Sequence, residues 1–188
     1  MVPSPPVRPT IQFLRWIVAL AIVCGFASCS KPAAEAAEKE TVILLVRHAE
    51  RSNAPGADPP LSTAGEARAR ELLRVTRGAN VKKIYASEYQ RAQKTVQPLA
   101  DALGLTVDSS FRGPDLSPLV KDILINHRGK TILIAHHSNT VPELIRLLGG
   151  GEVRPINDAT EFDRLYVVHY RESGVSVTAL KYGATSAP

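Results

Sequence analysis

Short runs of consecutive apolar residues limit the possible folds of this chain more than any other feature of its sequence. After an initial threonine, the segments 41–46 (TVILLV) and 131–135 (TILIA) are apolar at successive positions rather than at alternate ones. A strand with this pattern is buried on both faces, which is typical of a parallel sheet covered by helices. Further strands are predicted at 81–86, 105–107, 164–170 and 175–180.

Helical patterns lie between most of these strands. Thr63 and Glu66 have the spacing of a capping box, which predicts a helix from Thr63 to about Arg77. Other helices are predicted at 88–103, 116–126 and 140–148. Strands that alternate with helices predict an α/β fold, here a three-layer α/β/α sandwich with a mainly parallel central sheet and a late antiparallel pair.

Residues 1–28 resemble a secretory signal peptide. Arg8 and Arg15 precede the apolar segment 16–27. This segment is shorter than the ~20 residues that a membrane-spanning helix needs. We therefore expect export of the folded part.

The end of this signal resembles a bacterial lipobox. Residues 26–29 read Phe-Ala-Ser-Cys, so we expect cleavage before Cys29 and lipidation of its thiol. Residues 29–40 then form a tether, and an uncleaved anchor is the alternative. The protein is expected at the cell envelope, held to the membrane by its lipid, and Ser30 is similar to the residue that directs lipoproteins to the outer membrane.

Polar residues follow three of the predicted strands. They are Arg47, His48 and Glu50 after the first strand, Arg91 shortly after the second, and His136, His137 and Ser138 after the third. Ligands bind outside the carboxyl ends of strands in open sheets of this type. If the three strands are neighbours, these side chains form one pocket, and its guanidinium groups and helix N-termini suit a phosphate dianion.

A histidine in such a pocket can act as a nucleophile. If a backbone carbonyl holds Nδ1, then Nε2 keeps its lone pair and can attack phosphorus. The arginines and the second histidine would stabilise the negative charge of the transition state. A carboxylic acid must protonate the leaving oxygen and later deprotonate the attacking water.

Four motifs, in order along the chain, give it a family resemblance. They are 47–50 (RHAE), 60–65 (PLSTAG), 87–95 (SEYQRAQKT) and 134–140 (IAHHSNT). They resemble the RHG/RHA, LT/S-x-x-G, S-x-x-x-R-A-x-x-T and V-x-G-H-S-N-T motifs of the histidine phosphatase superfamily, whose fold is that of phosphoglycerate mutase. The resemblance covers residues 41–183 and leaves 184–188 as a tail.

The resemblance implies a phosphatase that uses neither a metal nor a cofactor. His48 would be the phosphorylated nucleophile, with Arg47, Arg91 and His137 binding the phosphoryl group. The substrate would be a small sugar phosphate, a phosphorylated envelope glycan or a phosphoprotein. His136 stands where the family has glycine, and its role is left open.

The proton donor has no recognisable motif. Related enzymes supply a Glu between the second Arg and the second His, but the corresponding stretch here, 108–115, contains none. Asp115 is the first candidate, although its place before a predicted helix suits an N-cap equally well. Glu161 is the alternative, and Asp108 and Asp163 are further candidates.

Two other functions fit the same residues. A mutase would transfer the phosphoryl group to a second hydroxyl, but it would need a cytoplasmic metabolite, which the signal peptide disfavours. A non-catalytic envelope lipoprotein could use the pocket to bind phosphate or another anion. The net charge of +5 is interspersed along the chain, so no nucleic acid partner is predicted. On the first helix, Arg68, Arg70 and Arg74 are predicted to be solvated.

Overall fold

The computed structural model describes residues 1–4 and 38–186. Residues 5–28 of the predicted signal peptide, Cys29 and most of the tether therefore lie outside the described residues. Within the described ranges, no helix is long and apolar enough to cross a membrane.

Strands and helices alternate as the sequence predicts. In the described part of the chain, the strands are β1 (Thr41–Arg47), β2 (Val81–Ala86), β3 (Val107–Asp108), β4 (Thr131–His136), β5 (Arg164–Arg171) and β6 (Gly174–Lys181). The helices are α1 (Thr63–Thr76), α2 (Gln90–Leu103), α3 (Ser117–Asn126) and α4 (Thr140–Leu147). The largest differences from prediction are at α2, which starts two residues later, and at β3, which is displaced towards the C-terminus.

The six strands form one sheet in the order β3-β2-β4-β1-β5-β6. The pairs β3-β2, β2-β4 and β4-β1 are parallel, whereas β5 and β6 are antiparallel to their neighbours. This arrangement confirms the predicted α/β class with a mainly parallel sheet. It also makes β2, β4 and β1 adjacent, which is the condition for one shared pocket at their carboxyl ends.

The sheet has an apolar core on each face. Along β1, Ile43 and Leu45 belong to the cluster that includes α3 and α4, while Leu44 and Val46 belong to the cluster that includes α1 and α2. All four side chains are at most 5% exposed. Burying an aliphatic side chain of this size stabilises the fold by about 1.5–3 kcal/mol. The two-sided burial explains why β1 is apolar at every position from Val42 to Val46.

The start of α1 lies directly against the segment that follows β1. Its N-cap is Ser62, one residue before the predicted Thr63, and the Ser62 hydroxyl accepts the Gly65 N–H at 3.1 Å. A Cβ atom on Gly65 would lie 2.1 Å from the carbonyl oxygen of Glu50. Only glycine therefore allows α1 to approach the backbone of Glu50 this closely.

Arg68 on α1 is buried, so its predicted exposure to solvent is wrong. Its side chain is 3% exposed, and its guanidinium donates to both carboxylate oxygens of Glu50 at 2.7–3.0 Å. It also donates to the carbonyl oxygens of Tyr182 and Ala184 at 2.9 Å. Because Glu50 neutralises it and carbonyl groups satisfy its remaining donors, the burial of this cation is tolerated. Arg68 thus joins the segment after β1 to the C-terminal residues.

Candidate active site

A pocket of about 310 Å³ lies at the carboxyl ends of β1, β2 and β4. Its lining consists of Arg47, His48, Arg51, Tyr89, Arg91, His137, Ser138, Asn139 and Asp158. Four of the predicted site residues are therefore brought together. The helices α2 and α4 both begin beside this pocket, because each follows one of the three strands.

His48 leaves β1 with its ring in a fixed orientation. Its N–H donates to the His136 carbonyl of β4 at 2.8 Å, and its Nδ1 lies 2.8 Å from the Ala49 carbonyl oxygen. A carbonyl oxygen can only accept, so the proton sits on Nδ1 and Nε2 keeps its lone pair. Burial lowers the pKa of His48 to about 4, and the nearby charges of Arg47 and Arg91 act in the same direction. The ring is therefore neutral at neutral pH.

His137 is the second imidazole of the pocket. Its ring centroid lies 5.4 Å from that of His48, and burial, together with His48, lowers its pKa to about 4. Its backbone N–H donates to the Thr140 hydroxyl at 2.9 Å, which fixes the turn between β4 and α4. Its Nε2 has no hydrogen-bond partner among the described residues.

His136 is not among the residues that line the pocket. The ring is buried, with Nδ1 2.6 Å from the Thr140 hydroxyl and its plane almost perpendicular to that of His137. Burial lowers its pKa to about 4. In residues 1–4 and 38–186, no group of three or more potential ligand side chains is arranged to hold a metal ion.

Arg91 lies in the first turn of α2. Its guanidinium stacks on the Tyr89 ring at 4.2 Å and makes only long contacts, including one of 3.5 Å between Nη1 and the Asp58 carboxylate. Asp58 itself accepts the Gln90 N–H at 3.0–3.1 Å and so caps α2. The Nε atom of Arg91 is buried and has no partner in the described part of the chain. Arg91 therefore retains donors for an anion.

Arg47 is bound mainly by the segment 157–162. Nη1 donates to the carbonyl oxygens of Asn157 and Glu161 at 2.9 and 3.0 Å. Nη2 donates to the Asp158 carbonyl and carboxylate oxygens at 2.6 and 2.7 Å. The Phe162 ring covers the guanidinium at 4.0 Å. Only Nε lacks a partner among the described residues, so phosphate binding by Arg47 stays a prediction, while its role in holding this segment is seen directly.

The family model for the histidine phosphatase superfamily (branch 1) matches residues 43–112. That range holds the motifs at 47–50, 60–65 and 87–95, and the fourth motif supplies His137 to the same pocket. Within this range the chain is similar to the histidine phosphatase superfamily. Among curated proteins, none matches this sequence.

Solved structures share the fold of this chain. The protein histidine phosphatase SixA, in complex with tungstate, is 22% identical with a TM-score of 0.59, over 76% of this chain and 96% of that one. The mycobacterial glucosyl-3-phosphoglycerate phosphatase is 13% identical with a TM-score of 0.58, over 78% of this chain and 100% of that one. At these identities the likeness shows the fold alone.

The predicted proton donor Asp115 is not among the residues that line the pocket. Asp115 is exposed, and its Oδ1 accepts the Ser117 N–H at 3.0 Å at the start of α3. This contact fits the alternative role as a helix cap. Asp108 is also absent from the lining, because Lys83 binds its carboxylate at 2.7 Å beside the sheet edge.

The alternative donor Glu161 is likewise occupied elsewhere. Its carboxylate is 8% exposed, accepts two hydrogen bonds from Arg164 at 2.7 and 3.0 Å, and accepts the Asn157 N–H at 2.7 Å. Asp163 is buried and accepts from Lys181 and from the Ser186 N–H, both at 3.0 Å. Both carboxylates therefore shape the segment before β5 rather than face the reacting group.

Asp158 is a pocket residue that reasoning from the sequence missed. Its carboxylate lines the pocket, where it accepts from Arg47 and from the Ser138 hydroxyl, each at 2.7 Å. It precedes an antiparallel strand, and an antiparallel strand starts at the edge where its parallel neighbours end. The antiparallel pattern of the last two strands could therefore have directed attention to the residues before Arg164.

A second and larger cleft adjoins the pocket. It measures about 830 Å³, and its lining is Glu50, Arg51, Ser52, Asn53, Ala54, Asn157, Asp158, Ala159 and Phe162. Arg51 and Asp158 line both cavities. The two cavities therefore meet at one cation and one carboxylate.

Proposed function

We propose that this chain is a phosphatase that hydrolyses phosphomonoesters, without a metal, through a phosphohistidine on His48. The observation that carries the proposal is the 2.8 Å contact between His48 Nδ1 and the Ala49 carbonyl, which leaves Nε2 as a free nucleophile beside Arg91 and His137. The low pKa of His48 supports it, because the neutral and nucleophilic form is present at neutral pH.

Groups that could stabilise the phosphoryl oxygens surround this nucleophile. Arg47, Arg91 and His137 line the pocket, and each has a side-chain nitrogen with no hydrogen-bond partner among the described residues. Guanidinium groups stabilise the charge that spreads over the phosphoryl oxygens in the transition state. The SixA structure contains tungstate and a mycobacterial phosphatase of this fold contains VO3, and both ligands are oxyanions as phosphate is.

The lining of the larger cleft favours a substrate whose leaving group is polar. Its volume exceeds what a phosphate needs, and Ser52, Asn53 and Asn157 offer hydroxyl and amide groups to a ligand. A sugar phosphate, a phosphorylated envelope glycan or a phosphorylated protein segment would all place polar atoms there. Hydrolysis of each class, measured side by side, would decide among them.

The test of this function is turnover of an aryl phosphate by the purified chain in EDTA. We expect His48→Ala to lower the rate by at least about 10³-fold, and acid-labile phosphate to label the unaltered protein only. His169→Ala is the matched control, since His169 lies on β5 and bonds to Glu40. Phosphate binding without turnover of any donor would favour the non-catalytic alternative, and transfer to an added sugar acid would favour a mutase.

We further propose that the chain is exported and anchored by a lipid on Cys29. The support comes from residues 1–29 of the sequence, with the charged start, the apolar segment and the lipobox-like end described above. Cells fed labelled palmitate should label the protein, and Cys29→Ser should abolish the label and release the protein from membranes. Equal labelling of both forms would contradict the proposal.

A further inference from the structure

Asp158 lies at the boundary between the two cavities. Of the residues that line the smaller pocket, it is the single carboxylate within the described ranges, and it also lines the larger cleft. If the phosphoryl group occupies the first cavity and the leaving group the second, the oxygen between them passes this boundary. We infer that Asp158 is the general acid and general base of the reaction, an assignment that rests on the proposed function.

The segment that carries Asp158 is held from two sides. Arg47 binds three of its carbonyl oxygens and the Asp158 carboxylate itself. Glu161 closes the segment by accepting the Asn157 N–H and pairing with Arg164. The side chain of Asp158 is nevertheless 71% exposed, so it can turn towards a ligand while its backbone stays fixed.

The charge state of Asp158 changes in the required direction when a phosphoryl group binds. In the free protein, the hydrogen bond from Ser138 and the charge of Arg47 hold the pKa of this carboxyl below its ordinary value. A phosphoryl dianion competes for the same two donors and brings like charge close to the carboxylate. Both effects raise the pKa, so the carboxyl can hold a proton when the substrate is bound.

The two steps then balance in atoms and charge. In the first, His48 Nε2 forms a bond to phosphorus, the P–O bond to the leaving group breaks, and the Asp158 carboxyl gives its proton to the departing oxygen. In the second, the Asp158 carboxylate takes a proton from water, the resulting hydroxide attacks phosphorus, and the N–P bond breaks. Phosphate leaves, and His48 regains the lone pair on Nε2.

The first test compares leaving groups with the full purified chain. Asp158→Asn keeps the shape and the acceptor oxygen of the side chain but cannot carry the proton. For glycerol phosphate, whose alkoxide is a poor leaving group, we expect the rate to fall by at least about 10²-fold. For 4-nitrophenyl phosphate, whose phenolate leaves without a proton, the first step should change by less than about tenfold.

The second test follows the intermediate. With 4-nitrophenyl phosphate, Asp158→Asn should release one equivalent of nitrophenol in a burst and then turn over slowly, with phosphate trapped on His48. A residue that only shapes the pocket would not separate the two steps in this way. Asp115→Asn is the rival variant, and a leaving-group dependence found there instead of in Asp158→Asn would overturn the assignment.

Two other results would overturn the assignment in distinguishable ways. Unchanged or faster turnover by Asp158→Asn, in a system where the unaltered protein is active, would show that this carboxylate only competes with the substrate for Arg47 and Ser138. Failure of the unaltered protein to turn over any donor, or to form a phosphoenzyme, would overturn the proposed function and the assignment with it.

Discussion

Substitution of Gly65 by alanine tests the close approach of α1 to the segment that carries His48. An added Cβ would lie 2.1 Å from the Glu50 carbonyl oxygen and 3.1 Å from two further backbone atoms of Glu50. Separation to the shortest contacts that Cβ atoms make requires α1 and this segment to move apart by about 1 Å. Both partners are backbone, so a side-chain rotation cannot relieve the contact.

The expected change in the free energy of unfolding of Gly65→Ala is the balance of two opposing effects. Alanine is favoured over glycine inside a helix by about 1 kcal/mol. Overpacking of a tightly packed site costs about 1–3 kcal/mol, and backbone against backbone belongs at the upper end of that range. We therefore expect Gly65→Ala to lower the free energy of unfolding by about 2 kcal/mol in net terms.

The same substitution should also displace the imidazole of His48, the proposed nucleophile. Ala49 precedes Glu50 and its carbonyl oxygen holds His48 Nδ1, so a shift of the segment moves the imidazole. A displacement of about 1 Å in a reacting group can cost on the order of 10²-fold in rate. Aryl phosphate turnover by Gly65→Ala should therefore fall far more than its modest loss of stability would explain.

Urea unfolding and aryl phosphate hydrolysis, measured on matched variants, provide the assay. Gly78→Ala is the control, because a Cβ at Gly78 meets no atom within 4 Å. We expect that control to be neutral or stabilised by up to about 1 kcal/mol, with normal turnover. Equal unfolding midpoints and equal activities for the two variants would refute the steric reasoning.

Two further predictions concern buried charge. Because burial lowers the pKa values of His48, His136 and His137 to about 4 from the ordinary 6.5, the unfolded state binds more protons between those values. Stability should therefore fall as the pH decreases from 6.5 to 4, by at least about 3 kcal/mol in urea unfolding, and His136→Gln should reduce this dependence. Arg68→Lys should destabilise by about 2–3 kcal/mol in the same assay, because lysine cannot replace its bidentate contacts, whereas the exposed Arg70→Lys should stay within about 0.5 kcal/mol. A stability that does not change with pH, or equal effects of the two lysine variants, would contradict these expectations.

The elements of the fold could be predicted because their signals are local. Two-sided burial of β1 and β4 favours consecutive apolar residues, at 42–46 and 132–135, and that pattern is visible without a structure. The order of the strands in the sheet, by contrast, is not encoded by a local sequence signal. It depends on which apolar faces pack together, so the adjacency of β2, β4 and β1 could be stated only as a condition for the pocket.

The differences between the sequence-based predictions and the structure have physical causes at particular residues. The N-cap is Ser62 rather than the predicted Thr63, because the Ser62 hydroxyl accepts the Gly65 N–H at the start of α1. Arg68 is buried because its partner Glu50 lies 18 residues earlier, outside any helical pattern. Asp158 lies in a segment with no periodicity, and its place in the pocket follows from the antiparallel pairing of β5 with β1.

The pairing of β5 with β1 also determines how the residues before β5 are placed relative to His48 at the end of β1. Six residue pairs, from Thr41 with Tyr170 to Val46 with Leu165, fix how far β5 extends towards the end of β1. A slip by one residue would turn every side chain of β5 to the opposite face. The smallest slip that preserves burial is therefore two residues, which would move the start of the strand by about 7 Å. Small changes in the strand register are therefore excluded by the hydrophobic core. The same register limits how far the start of β5, and with it the segment that carries Asp158, can shift relative to His48.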